Sequence, residues 1–167
     1  MSPLARWIGG SAIGGACALA LSISIQVVKQ FEGTQLTAYP DPVGVPTICT
    51  GHTGAEVTLG QTLTPADCEA LLAGDLGHAF AVVDAALTPA AQATLTPARR
   101  AALASFVFNV GEGAFRDSTL LTRLNAGEIR AACDELARWV YADGRRLPGL
   151  VRRREAEREL CLAGLDG

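Results

Sequence analysis

Aromatic residues make up only 5% of this 167-residue chain, and thirteen arginines are joined by a single lysine, Lys29. The net charge is -3. No basic stripe is interleaved with aromatics, so a nucleic-acid partner is excluded. There is no internal repeat, no low-complexity tract and no interdomain linker, which excludes an array and leaves one compact domain with an appendage. At 49% hydrophobic and 19% charged, the chain is too apolar for intrinsic disorder. Charge is unevenly placed: residues 29–84 carry one Lys against seven acids, residues 85–167 twelve Arg against ten acids. The late arginines read as solvated helix faces. Charge is missing altogether from Trp7 to Val28, a run of 22 residues.

That run, WIGGSAIGGACALALSISIQVV, is long enough to span a bilayer as a helix. Gly9, Gly10, Gly14, Gly15, four alanines, three serines and Gln26 dilute its Leu, Ile and Val, so the free-energy margin for insertion is small. Several readings compete. Ala18-Leu19-Ala20 has the small-x-small form of a signal-peptide cleavage site, but apolar character continues past it to Val28. Cys17 could end a lipoprotein signal, but Gly14-Gly15-Ala16 lacks a bulky apolar residue before it. A buried helix of a soluble protein is another reading. The sequence favours an uncleaved, weak anchor over residues 1–28, with a domain over 29–167, the N-terminus cytoplasmic and the domain outside the inner membrane.

Of five cysteines, Cys17 lies in the apolar run, and Cys49, Cys68, Cys133 and Cys161 lie in the domain. In an exported domain the four allow three connectivities. Local closure favours Cys49–Cys68 and Cys133–Cys161, each contributing about 3 kcal/mol.

Local signals predict an α+β chain: a small antiparallel sheet early, then helices. The first helix runs on past Val28 to stop at Gly33. Strands are predicted at 36–39 and 45–50 around the turn Pro40 to Gly44, with Pro46 placing the second at a sheet edge and a third strand at 57–59. Thr64-Pro65-Ala66-Asp67 reads as a capped helix start, running to about Leu87. Further helices are expected from Thr96-Pro97 to Gly111, from Ser118 to Asn125, from Glu128 to Ala142 and from Pro148 to Leu162.

The chemistry concentrates in FEGTQLTAYPDPVGVPTICTGHTG, residues 31–54. Glu32 would sit at a helix end, Asp41 in a tight turn and Thr47 on the following strand, on the same face as Cys49 if the strand alternates. A helix-end Glu facing solvent and a turn Asp bonding its own backbone are the plain alternative. An acid, a second carboxylate and a hydroxyl on rigid termini around one cleft suit glycoside hydrolysis, which needs a proton for the leaving oxygen and a group to direct water. Cys49 and His52, with Cys68 and His78, match no strong zinc spacing, so no metal and no cofactor are expected, and His52 reads as a loop or core histidine. Asn109, at a helix end, could bind an acetamido group or act as a cap; Trp139 and Tyr141 read as core.

The pattern Glu32, Gly33, Tyr39, Asp41, Gly44, Val45, Thr47, Cys49, Gly51, His52, Thr53, Gly54 strongly resembles phage lysozymes, the endolysins with a Glu, Asp and Thr triad. The likeness extends to Ser105 through Gly111, to Ser118-Thr119-Leu120-Leu121, and to Gly149-Leu150 followed by Arg153-Arg154 and Glu157. Pro46 departs from it, standing where a bulky aromatic is expected. The weak anchor resembles the signal-anchor-release (SAR) segment of one endolysin subgroup. The resemblance implies a lysozyme-like fold, with a small β lobe and a helical lobe, and cleavage of the β-1,4 bond between N-acetylmuramic acid and N-acetylglucosamine in peptidoglycan. Glu32 would be the general acid, and Asp41 and Thr47 would polarise the attacking water. Tyr39, His52 and Asn109 would line or support the cleft. It also implies an ion pair between Glu32 and a last-helix arginine, Arg153 first and Arg154 second. The partners implied are peptidoglycan and, through residues 7–28, the inner membrane before release of a monomer to the periplasm. Four steps from Val28 to Glu32 reach at most about 14 Å, so a tethered chain would hold Glu32 at the membrane, away from its cleft. Cys17 could then attack a domain disulfide after release, or simply pack as a small apolar residue. A non-catalytic wall-binding module and a lytic transglycosylase are the competing readings.

Overall fold

The computed structural model describes residues 14–165. The first helix, α1 (Gly15–Glu32), ends at Gly33, whose φ of 68° is a conformation glycine adopts without strain. Its buried residues, Ala20, Ser24, Val27 and Val28, form one stripe. That stripe packs on α4 (Pro97–Val110) and α2 (Pro65–Ala86). The approach to α4 is close because the facing residues are small: the Ser24 hydroxyl donates to the Ala20 carbonyl at 2.9 Å and to the Ala101 carbonyl at 3.4 Å. Residues expected in the anchor thus form one helix continuous with Glu32 and folded onto the domain. Among the described residues no helix is long and apolar enough to cross a membrane; the expected span starts at Trp7, and residues 7–13 lie outside the described part.

Three strands follow, β1 (Gln35–Pro40), β2 (Pro46–Cys49) and β3 (His52–Thr53), antiparallel in that order. Tyr39 pairs with Thr47, and Pro40 with Pro46. The β2 strand is therefore central, not the predicted edge. Pro46 is tolerated because it is the first residue of the strand and β3 reaches only as far as Thr47. Burial does not alternate along this strand: Thr47, Ile48 and Cys49 are all buried, and Cys49 has a φ of 57°. The predicted strand at 57–59 is instead turn: the Gln61 amide donates to the Thr58 carbonyl at 3.0 Å, Gly60 has a φ of 81°, and the third strand forms at 52–53.

The capping box at Thr64 opens α2 as expected, with the Asp67 amide donating to Thr64 Oγ1 at 3.2 Å and the Thr64 amide to Asp67 Oδ2 at 3.1 Å. Two short helices not foreseen, α3 (Pro89–Gln92) and α5 (Glu112–Arg116), flank α4 in the chain. Surrounded by α1, α2 and α8 (Pro148–Leu162), α4 buries every residue from Ala101 to Val107. Next come α6 (Thr119–Asn125), capped by the Ser118 hydroxyl, and α7 (Ile129–Glu135). The helix predicted to Ala142 stops there. A 3-10 turn at Leu136–Arg138 leads into a hairpin, β4 (Tyr141–Ala142) and β5 (Arg145–Arg146). Asp143 and Gly144, both at positive φ, form the two-residue turn that this dipeptide favours. On the hairpin Tyr141 is 62% exposed rather than core, whereas Trp139 packs edge-on against Phe106 at 5.2 Å.

Cys49–Cys68 ties β2 to α2, and Cys133–Cys161 ties α7 to α8, the local closures expected. With sequence separations of 19 and 28, each stabilises the fold by about 3 kcal/mol in a chain-entropy account. Cys17 is free and half-buried in α1.

Candidate active site

The site begins where α1 ends. Its last residue, Glu32, points its Oε1 at the Arg153 guanidinium of α8, the pairing foreseen for that arginine. Asn109, at the end of α4, donates from Nδ2 to the same oxygen at 3.5 Å and accepts on Oδ1 from Arg154. Side chains from two other helices thus converge on one carboxylate. Glu32 Oε2 has no protein partner among the described residues and is the oxygen left for a ligand.

Behind this contact lies Glu157, fully buried. Its Oε1 accepts from the Ser105 hydroxyl at 2.6 Å and from Arg153 Nε at 3.1 Å, and its Oε2 stands 2.8 Å from Arg154 Nη1. Burial pushes the Glu157 carboxyl above its ordinary range, opposed by Arg154 and Arg153. Burial likewise lowers Arg154 to about 10, opposed by Glu157. Arg154 remains a cation at neutral pH, its guanidinium 4.9 Å from the centre of the Phe106 ring.

Two clefts meet at Glu32. One, about 590 Å³, runs past Asn109, Leu147, Gly149 and Arg153. The other, about 420 Å³, runs past His52, Asp75, His78, Asn109 and Glu112. Asp41 and Thr47 line neither. They stand together at the β1–β2 turn, where the Asp41 amide donates to the Val45 carbonyl at 3.0 Å. Asp41 Oδ1 accepts from the Val43 and Val45 amides at 2.9 and 2.7 Å, the local turn bonding a lone Asp would make. Its Oδ2 has no protein partner among the described residues. Thr47 is 5% exposed and donates its hydroxyl to the Val45 carbonyl at 3.0 Å, leaving its oxygen free to accept. Tyr39, its cross-strand partner, is exposed.

His52 is no zinc ligand with Cys49 and Cys68, because those sulfurs are joined to each other. Among the described residues no group of three His, Cys, Asp or Glu could hold a metal. The imidazole instead bridges two carboxylates, Nδ1 to Asp75 Oδ2 and Nε2 to Glu56 Oε1, both at 2.9 Å. Partial burial pulls its pKa down, but the hydrogen bonds and charges of Glu56 and Asp75 outweigh this and the net direction is up. Glu56 is lowered, chiefly by its hydrogen bond from His52. A raised histidine contributes stability that is complete below its unfolded value and lost as pH rises through the folded one. A lowered carboxylate contributes stability that is present above its unfolded value and lost as pH falls through the folded one. The contribution is therefore largest between about pH 4.5 and 6.5, the unfolded values of the two groups. His52→Gln lowers the thermal midpoint more at about pH 5.5 than at about pH 8.5; an equal loss at both contradicts a charged bridge. Asp75 and Glu56 were not legible as its partners: Glu56 follows at a spacing of four, but no local signal marks Asp75.

A small three-stranded sheet beside a helical lobe, with an acid at the end of a helix where two clefts meet, defines a lysozyme-like fold. The phage lysozyme family model matches residues 29–157. The SAR-endolysin of Enterobacteria phage PA-2 is 44% identical over 167 residues, covering 98% of this chain and 99% of that protein. The SAR-endolysin of Enterobacteria phage P21 is similar to the same degree, 44% over 167 residues with 98% and 99% covered. Among solved structures, a variant of P22 lysozyme superposes with a TM-score of 0.75 at 35% identity, covering 85% of this chain and 97% of that one. The chain belongs to the phage lysozyme family, in its SAR-endolysin subgroup.

Proposed function

We propose that this phage muramidase of host lysis cleaves the β-1,4 bond between N-acetylmuramic acid and N-acetylglucosamine with inversion, using Glu32 as general acid and Asp41 with Thr47 to direct water. The observation that carries the reading is the Glu32 carboxylate, gripped on one oxygen by Arg153 and open on the other at the meeting of two clefts. Glu32 Oε2 would pass its proton to the leaving glycosidic oxygen. A water on the opposite face of the sugar would donate to the free Asp41 Oδ2 and to the Thr47 oxygen, both held by the backbone of one turn. Inversion requires the two carboxyl groups to stand about 6.5–9.5 Å apart, with the water between them.

Residues 1–28 would serve as a weak inner-membrane anchor, N-terminus cytoplasmic, and 29–167 as the periplasmic muramidase domain, monomeric once released. The packing of α1 supports a switch between the two. Ala20, Ser24, Val27 and Val28 cannot face lipid and α4 at once. Only the packed helix presents Glu32 to Arg153. Purified peptidoglycan incubated with released protein should yield fragments with hydrated muramic reducing ends by mass, and with the membrane-bound fraction none. Full activity of the bound fraction contradicts the switch. Anhydro-muramic ends would identify a transglycosylase, and binding without fragments a wall-binding module.

A further inference from the structure

We infer that Glu157, which touches no substrate, is a positioning residue for the Glu32 acid, acting through a closed ring of side chains; this rests on Glu32 being the acid. The ring runs through hydrogen bonds from Glu157 to Arg153, from Arg153 to Glu32, from Glu32 to Asn109 and from Asn109 to Arg154, and it closes on Glu157 through a charge contact of 2.8 Å not aligned as a hydrogen bond. It joins three elements: α1 contributes Glu32, α4 contributes Asn109, and α8 contributes the two arginines and Glu157. Ser105 of α4 fixes the ring from inside, donating to Glu157 Oε1 at 2.6 Å while its carbonyl accepts from Arg153 Nη2 at 3.2 Å.

The charge count explains why the buried carboxylate matters. Arg153 and Arg154 are adjacent in sequence, both almost fully buried, and like-charged. Glu32 alone cannot neutralise both. With Glu157 the ring holds two cations and two anions, and each guanidinium is held between two partners: Arg153 between Glu157 and Glu32, Arg154 between Glu157 and Asn109. Removing the inner anion leaves two guanidiniums competing for Glu32 and frees them to turn. Glu32 is then displaced and held more firmly as an anion. Because Glu157 is 0% exposed, no sugar reaches it, and its effect on turnover must pass through the arginines. A carboxylate that merely stabilised buried arginines would affect folding alone.

The test uses the full chain in its released form, with soluble peptidoglycan fragments as substrate and four proteins: wild type, Glu157→Gln, Ser105→Ala and Glu32→Gln. Glu157→Gln keeps shape and loses charge. It should lower kcat on the order of 100-fold, the cost of misplacing a reacting group by about 1 Å, with little change in KM. The alkaline limb of its activity–pH profile should move to lower pH, because Glu32 faces Arg153 and Asn109, and, through Asn109, Arg154, with one anion fewer behind them. Ser105→Ala removes only one support of Glu157 and should shift kcat and the profile in the same direction by less. It decides the matter if Glu157→Gln does not fold. A lowered thermal midpoint with wild-type kcat and an unmoved pH profile overturns the inference. Retained activity in Glu32→Gln instead overturns the assignment of the acid, and with it this inference.

Discussion

Glu32→Gln abolishes wall lysis while leaving the fold and wall binding in place. The amide keeps the shape of the carboxylate and can still accept from Arg153 and Asn109 on its oxygen, so the ends of α1, α4 and α8 stay together. What it cannot do is give up a proton to a leaving sugar oxygen. General acid catalysis contributes about 100- to 10,000-fold, so the rate should fall toward the lower limit of a turbidity assay. Glu32 is 30% exposed and Glu157 still faces both buried arginines, so the melt should show a partial loss of stability beside the loss of activity. Turbidity clearance of wall suspensions, with a sedimentation assay for binding and a melt for stability, separates the three effects. A wall-binding module would show no clearance even before the substitution and would keep its binding after it.

Arg153→Met has the second large effect, and it falls on stability and rate together. Arg153 is 2% exposed and reaches Glu32, Glu157 and Ser105 at once. Truncating one partner of a buried charge cluster leaves the others uncompensated, which costs about 3–5 kcal/mol. For a chain of this size the thermal midpoint should fall by on the order of 10 °C. Below that midpoint kcat should also fall, because Glu32 loses its stronger anchor and keeps only the longer contact with Asn109. A melt and a rate measured well below the transition check both halves. An unchanged midpoint would mean that the guanidinium is not buried among carboxylates as described.

Much of this arrangement was legible locally. The capping box at Thr64, the stop at Gly33 and the proline-led starts at Pro65, Pro97 and Pro148 are properties of a few adjacent residues, and the helices form where those residues place them. Both disulfides followed from short-range closure. Prediction failed where a distant element or one unusual dihedral decided the outcome. Burial of Thr47, Ile48 and Cys49 alike hides the expected alternation, and the Asp143-Gly144 turn makes a hairpin where helical periodicity alone runs on. Pro46 is an edge residue by type, but its position at the first residue of a central strand decides its place.

The site divides in the same way. Glu32, Asp41 and Thr47 stood out as residue types on rigid termini, and Arg153 through the family resemblance. Asp75 and Glu56 on His52, and the ring through Glu157, could not be read from the chain. They depend on α2 and α8 being brought to within hydrogen-bond reach of residues as many as 121 positions away.

In the proposed reaction Glu32 protonates the leaving oxygen while water held by Asp41 and Thr47 attacks from the other face. The anomeric configuration of the new reducing end, read by proton NMR within the first turnovers on a defined glycan and before mutarotation, tests it most directly. Inversion of the β-1,4 bond gives the α-anomer first; a β-anomer appearing first would contradict the water-directing role given to Asp41 and Thr47.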